Sequence, residues 1–412
     1  MNLSSSNKKY VYLYLNIIVL LFHITRNISL FWYVLVLGGS YFLLYINFRH
    51  EITDGFIGLF SKKNAYKLIF LITLFWIPII SIPHTFFTEY TVALPRFLVT
   101  LPYIIFMLIF DKYNMKQIVW VLRILTVYMT LSSLSMPYQM IFGPVSYFAD
   151  SSIRDGLIRY ASLAGSLTAL GTFGSYALAI LMFSKNYLYS NIVKNIQILI
   201  ITIGMLLSLQ KAAVANLIIL LVLYIVIKLR KDNKKLLYLI VLIVLSIFIM
   251  FLLNFDSKLV IYIKSIIIYT FSESTLSLFD DLMIRVWSLP AIVINANGIG
   301  LVDIVFGIGF KALAGTLGLP YYPMAHNNYF DFLFSGGIVH LIAFLYFLLR
   351  TPYLYISKVI RKIKINEFDS LYFVFFSLVI INMMIGASSI YQPVSAVFIF
   401  YFISSYSRVK DI

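Results

Sequence analysis

The sequence predicts an all-α polytopic membrane protein, with about twelve transmembrane helices and one large outside loop containing short helices. Three observations carry that prediction: an apolar composition, apolar runs of spanning length, and basic residues gathered in alternate connections. Of 412 residues, 61% are hydrophobic and 12% are charged, and the mean hydropathy is +0.94. A soluble domain is nearer ~45–50% apolar and ~25% charged. Folding alone cannot hide this much apolar surface, so lipid serves as solvent for much of the chain. Tyr and Phe are abundant, and Tyr suits membrane–water interfaces because its ring is apolar and its hydroxyl wet. There is no Cys, which excludes disulfides and thiolate metal sites.

A spanning helix needs about 20 mostly apolar residues. Candidate runs lie near 11–25, 28–48, 66–87, 91–110, 117–136, 161–183, 192–209, 212–229, 236–253, 330–349, 371–390 and 392–407. Lys8 and Lys9 before the first run give it the start of a signal peptide. No small-residue cleavage site follows and a second run begins at once, so the expectation is a retained helix. No internal repeat or linker divides the chain, and 1–412 reads as a single membrane domain.

Orientation follows from Lys and Arg in the connections. With the N-terminus in the cytoplasm, 22 of the 32 basic residues fall in inside segments, and every inside connection is basic. The expectation is therefore a multi-pass protein of the bacterial inner membrane with both termini cytoplasmic. The net charge of +16 is then mostly topogenic, which removes the main support for a nucleic-acid partner. Two outside segments exceed tight turns: 137–160, and 254–328, about 75 residues long. A connection that long in a compact fold usually has a function. Short helices are expected in it near 258–269 and 280–296, with Pro290 kinking or ending the second.

The candidate chemistry lies in these segments. His326 closes the large loop in MAHNNYFDFLFSGG, immediately before an apolar run. A neutral imidazole is a natural general base near pH 7; the alternative is an interfacial His bonded to backbone. Asn327 and Asn328 are placed to orient it or to bind hydroxyl groups, while Gly336 and Gly337 suit close helix packing. Arg285, in DDLMIRVWSLPAI, is either a phosphate ligand or a helical salt-bridge partner of Asp281, four residues earlier. Arg154 and Arg159, in SSIRDGLIRYAS, stand outside against the positive-inside tendency; an anionic substrate is one reason, and Asp155 is within reach of either. Lys211 occupies a short outside turn, and Arg96 and Arg123 lie within or near spans, where burial makes an ionisable group a functional candidate. Snorkelling or structural pairing is the alternative for both. The glycines of GIGLVDIVFGIGFKALAG lack the Lys-Ser/Thr of a P-loop and read as turns. No Cys/His cluster offers metal-ligand spacing. Glu367-Phe368-Asp369 is the nearest approach to an acidic metal–nucleotide motif, on the inside face, and reads as solvated.

An R…W segment (Arg285, Trp287), then Gly307-Ile308-Gly309, then Ala325-His326-Asn327-Asn328-Tyr329 before Leu333 to Gly337, resembles the O-antigen polymerase/ligase family. The motifs cover roughly 280–345, and the order of spans and loops extends the likeness along the chain. The resemblance implies a GT-C-like membrane glycosyltransferase acting on undecaprenyl-diphosphate-linked oligosaccharide, alongside a chain-length regulator and a flippase of the same pathway. It implies that His326 deprotonates the acceptor hydroxyl and that Arg285 binds the lipid diphosphate, with Arg154 or Arg159 as helpers. Asn327, Asn328 and Tyr329 would then adjoin the substrate. Relatives carry Ser-Arg where this chain has Gln210-Lys211, so Lys211 would keep the charge without the bidentate fork. Neither a metal nor another cofactor is expected, since a diphosphate is already a good leaving group.

The topology is directly testable. Reporter fusions after Lys63, Lys116, Lys234 and Lys362 should report cytoplasm, and fusions near Arg154 and Gly315 should report the outside; a cytoplasmic signal at Gly315 would contradict the orientation.

Overall fold

The computed structural model describes residues 5–22, 30–61, 64–109, 115–145, 148, 151–154, 157–165, 167–184, 188–208, 210–229, 284, 288–313, 317, 319, 327–363, 365–384, 391 and 393–409. Among them the chain is almost wholly helical. The first eight helices are α1 (Ser5–Phe22), α2 (Leu30–Leu59), α3 (Ala65–Ser81), α4 (Phe87–Ile109), α5 (Met115–Phe142), α6 (Ala169–Phe183), α7 (Asn191–Leu207) and α8 (Lys211–Leu229). Two short helices follow, α9 (Leu289–Asn297) and α10 (Leu301–Phe306), then a 3-10 helix (Gly309–Leu313). The last three are α11 (Asn328–Ile360), α12 (Glu367–Met384) and α13 (Pro393–Val409).

Eleven of the twelve apolar runs coincide with helices; the run 236–253 lies outside the described residues. Among the described residues, four helices are long and apolar enough to cross a membrane: Phe87–Leu108, Met115–Phe142, Asn328–Ile360 and Glu367–Met384. Shorter apolar helices accompany them, including Ala65–Ser81, Ala169–Phe183 and Asn191–Leu207. One continuous apolar core joins α1 to α8 with α11, α12 and α13. It is dense in aromatics: Phe375 stacks on Phe402 at 3.8 Å, and Phe173 on Phe398 at 5.8 Å.

Several boundaries differ from the sequence expectation for identifiable reasons. Helix α2 continues past its apolar run to Leu59, with non-helical backbone at Phe48, where the polar Arg49-His50-Glu51 stretch begins. Helix α5 carries Pro137 inside it and reaches Phe142, so the first residues of the expected loop 137–160 are helical. Helix α6 starts only at Ala169; the residues before it form a turn in which Gly165 has φ +109°. Pro290 stands in the first turn of α9, where its missing N–H breaks no bond of that helix, and residues 280–283 and 285–287 before it lie outside the described residues. The helix expected near 258–269 lies outside the described residues. Asp369 is buried rather than solvated; Lys358 Nζ binds both its oxygens at 2.7 and 2.9 Å. Asp369 and Asn366 also cap the start of α12 reciprocally, so α11 and α12 are fastened where they meet.

A two-stranded antiparallel ribbon was not expected. Strands β1 (Ser152–Arg154) and β2 (Leu157–Arg159) pair with Ser152 opposite Arg159 and Arg154 opposite Leu157.

The feature that organises one end of the bundle is a break in α11. Gly337 has φ +80° and ψ 179°, which interrupts the helical ladder. The gap is filled by backbone from the segment after α10: Ile308 N–H donates to the Phe334 carbonyl at 2.6 Å. Close approach requires glycine on both sides. A Cβ on Gly337 would strike the Val305 carbonyl, and one on Gly307 (φ +86°) the Ser335 carbonyl. Gly309 (φ +65°) faces Ser81 in the same way, and Ser81 Oγ accepts from Phe310 N–H at 2.7 Å. The Gly307-Ile308-Gly309 motif is thus a wedge between the end of α3 and the break in α11.

Replacing Gly337 with Ala combines a left-handed backbone with a backbone clash. Thermal unfolding in detergent should show a loss of at least about 1–3 kcal/mol. Gly38→Ala, inside α2 where a Cβ meets nothing within 4 Å, should not lower the transition and should raise it slightly.

Candidate functional site

Polar groups collect beside the break. His340 is fully buried one turn beyond Gly337, stacked on Phe70 at 5.1 Å and 11°. Its Nδ1 lies 2.7 Å from Thr73 Oγ1, and its Nε2 lies 2.8 Å from the Tyr391 hydroxyl. The Thr73 hydroxyl also reaches the Phe70 carbonyl at 2.9 Å; in the tautomer where its proton goes there, Nδ1 donates to Thr73. Nε2 then accepts from Tyr391, whose hydroxyl keeps its proton because burial pushes it well above the ordinary tyrosine range. Ser335 Oγ lies 3.3 Å from the same hydroxyl. A Cβ on Gly336 would overlap the His340 ring at 2.7 Å, so the glycine pair admits both the break and the imidazole.

The start of α11 is fixed separately. Asn327 caps it, its Oδ1 accepting from Tyr329 N–H at 3.1 Å. Asn328 Nδ2 reaches Asp331 Oδ2 at 3.3 Å, and the Tyr329 hydroxyl donates to the Ile380 carbonyl of α12 at 2.8 Å. Two residues along α12, Asn382 Oδ1 accepts from Asn216 Nδ2 of α8 at 2.8 Å, and that nitrogen also lies 3.2 Å from the Gly171 carbonyl of α6. Gln210 completes the tie: it accepts from Gly171 N–H at 3.2 Å and donates to the Leu167 carbonyl. Polar side chains thereby join α3, α6, α8, α11 and α12 within an otherwise apolar bundle.

The residues read from sequence distribute unevenly over this arrangement. Asn327, Asn328 and Tyr329 belong to it, and their identified bonds hold α11 in place. Position 211 opens α8 directly after Gln210, and position 154 pairs with Leu157 in the ribbon; the side chains of Lys211 and Arg154 are outside the described set. Arg159 is half-buried opposite Ser152. His326, Arg285, Trp287, Asp281 and Asp155 lie outside the described residues. His326 directly precedes the Asn327 cap in the chain. Arg96 and Arg123 both have structural partners. Arg96 donates to the Leu317 carbonyl at 3.1 Å; Arg123 donates to the Leu188 carbonyl at 2.7 Å and lies over Trp120 and Tyr189.

Sequence reading missed His340, Tyr391 and Asp331. His340 carried a usable signal, an imidazole within an apolar run. Tyr391 carried none, being one of 31 tyrosines. Among the described residues, no group of three or more His, Asp or Glu side chains is placed to hold a metal ion. No protein-family model matches the chain, and a search of curated proteins gave no match.

Tyr391→Phe would leave His340 Nε2 buried without a donor, a loss of about 1–3 kcal/mol. Combined with Thr73→Val, the loss measured by unfolding should depart from the sum of the single changes, because both act through one ring.

Proposed function

We propose that this chain is a surface-polysaccharide polymerase of the O-antigen type, spanning the bacterial inner membrane about twelve times with both termini cytoplasmic. It would transfer the growing glycan from undecaprenyl diphosphate onto a lipid-linked repeat unit at the outer face. One observation supports this reading above others. Elements of the motif resemblance, dispersed in sequence, meet in space: Gly307-Ile308-Gly309 seats against Ser335 to Gly337, and Asn327-Asn328-Tyr329 opens the same helix.

In this reading the acceptor hydroxyl oxygen attacks the anomeric carbon as the bond from that carbon to the diphosphate oxygen breaks, with inversion. His326 takes the hydroxyl proton. Arg285, helped by Arg154 or Arg159, neutralises the charge developing on the departing diphosphate. Asn327 and Tyr329 act by fixing the helix start that follows the base. No metal enters these steps. A chain-length regulator and a flippase would be the partners in the membrane.

A ligase passing finished glycan to lipid A–core would use the same donor, leaving group and base, and a flippase would use none of them. A deletion strain separates the three. The polymerase reading predicts core capped by a single repeat unit, since ligation still operates. Bare core with long polymer stranded on its carrier would make the chain the ligase; loss of all outer-face glycan would make it the flippase. His326→Ala should reproduce the deletion banding at normal protein abundance, since general-base assistance is worth about 10²–10⁴-fold. Wild-type banding in that variant would return His326 to a structural role.

A further inference from the structure

The segment after α9 is placed where a water-exposed loop would not be. Helix α10 leaves four apolar side chains uncovered: Leu301 is 83% exposed, Val302 69%, Val305 45% and Phe306 52%. Its depth can be read from its neighbours at each end. At its start, Asp303 Oδ1 lies 4.0 Å from His84 Nε2 in the turn after α3, and Asp303 also accepts from Gly300 N–H at 2.9 Å. At its end, the Phe306 carbonyl accepts the indole N–H of Trp76 at 2.8 Å, and Val305 abuts Gly337. Trp76 precedes Ser81, the last residue of α3, by five residues, about 8 Å along the helix, and His84 lies in the turn beyond. Gly337 lies nine residues into α11, about 14 Å from its first residue. Helix α10 therefore descends beside the bundle from the level of the α3–α4 turn.

Its uncovered face is continuous with those of its neighbours. Beside Trp76, α3 exposes Ile72, Phe75 and Ile79; beside Gly337, α11 exposes Ile338, Val339 and Ile342. These helices are apolar by composition, and Asn328–Ile360 is long enough to cross a membrane. A band that runs unbroken from spanning helices across α10 at this depth faces the same solvent as they do.

We propose that α10 is a re-entrant element whose outward face is covered by the hydrocarbon of the bilayer, while the 3-10 helix after it is buried in protein. Helix α10 enters at Gly300–Asp303 and is deepest at Phe306. Non-helical backbone at that depth is tolerated because protein groups satisfy it: Trp76 for Phe306, Phe334 for Ile308, and Ser81 for Phe310. The occupant is lipid, and the inference stands whether or not the chain is a polymerase.

The absence of Cys makes the test clean. Single variants Leu301→Cys, Val302→Cys and Val305→Cys, each carrying a nitroxide, are reconstituted in phosphatidylethanolamine–phosphatidylglycerol vesicles. Collisions with oxygen, which partitions into hydrocarbon, are compared with collisions with a water-soluble nickel chelate. Arg361→Cys, in an exposed turn, provides the aqueous reference. The oxygen-to-nickel ratio should exceed the reference several-fold at all three positions and rise from Leu301 to Val305. An aqueous ratio would overturn the proposal, and so would low collision rates with both reagents, which would signify a second copy or a protein partner on this face. Because Leu301 and Val302 are largely uncovered, at least those two variants should fold.

Discussion

Every peptide group within a bilayer must find its hydrogen bond in the protein, and the break at Gly337 makes that constraint acute. A left-handed residue in a spanning helix strands carbonyls that the next turn would have used. Here the Phe334 carbonyl is answered by Ile308 N–H, from a segment far away in sequence. The answering strand can come close only because Gly307, Gly309 and Gly337 have no side chains. The rest of this end of the bundle follows. Helix α10 is drawn against α3 and α11, Ser81 is committed to Phe310, and His340 occupies the space beside Gly336.

Much of this was legible in the sequence, because apolar runs and their caps are local signals. The runs located eleven helices, although the ends at Leu59, Ala169 and Ile360 lie eight to eleven residues from the ends of the runs, and the glycines at 307, 309 and 337 marked turns or close packing. The misreadings have physical causes. The run near 161–183 looked continuous, yet its first residues form a turn around Gly165 and the helix begins only at Ala169. Asp369 looked solvated because its partner, Lys358, is eleven residues away on another helix. The network of His340, Thr73 and Tyr391 joins residues separated by 267 and 51 positions, which no local pattern reveals.

The proposed function draws on the mouth of α11. The cap at Asn327 and the anchor from Tyr329 to Ile380 fix the chain directly after His326, which is what a base must have if it is to meet an acceptor reproducibly. The basic residues expected to receive a diphosphate, Arg154, Arg159 and Arg285, belong to segments that the charge pattern assigns to the same side. A lipid-facing α10 beside this mouth would let a carrier's hydrocarbon chain remain in the bilayer while its head group reaches the polar end.

The most direct test of the central claim is turnover by purified protein reconstituted in vesicles with undecaprenyl-diphosphate-linked repeat units. The account predicts that each glycan extension releases one undecaprenyl diphosphate, and that His326→Ala, folded and inserted as the wild type, releases none. Wild-type protein that moves or binds the lipid-linked unit without ever forming a longer glycan, or an Ala variant that turns over at the wild-type rate, would contradict it.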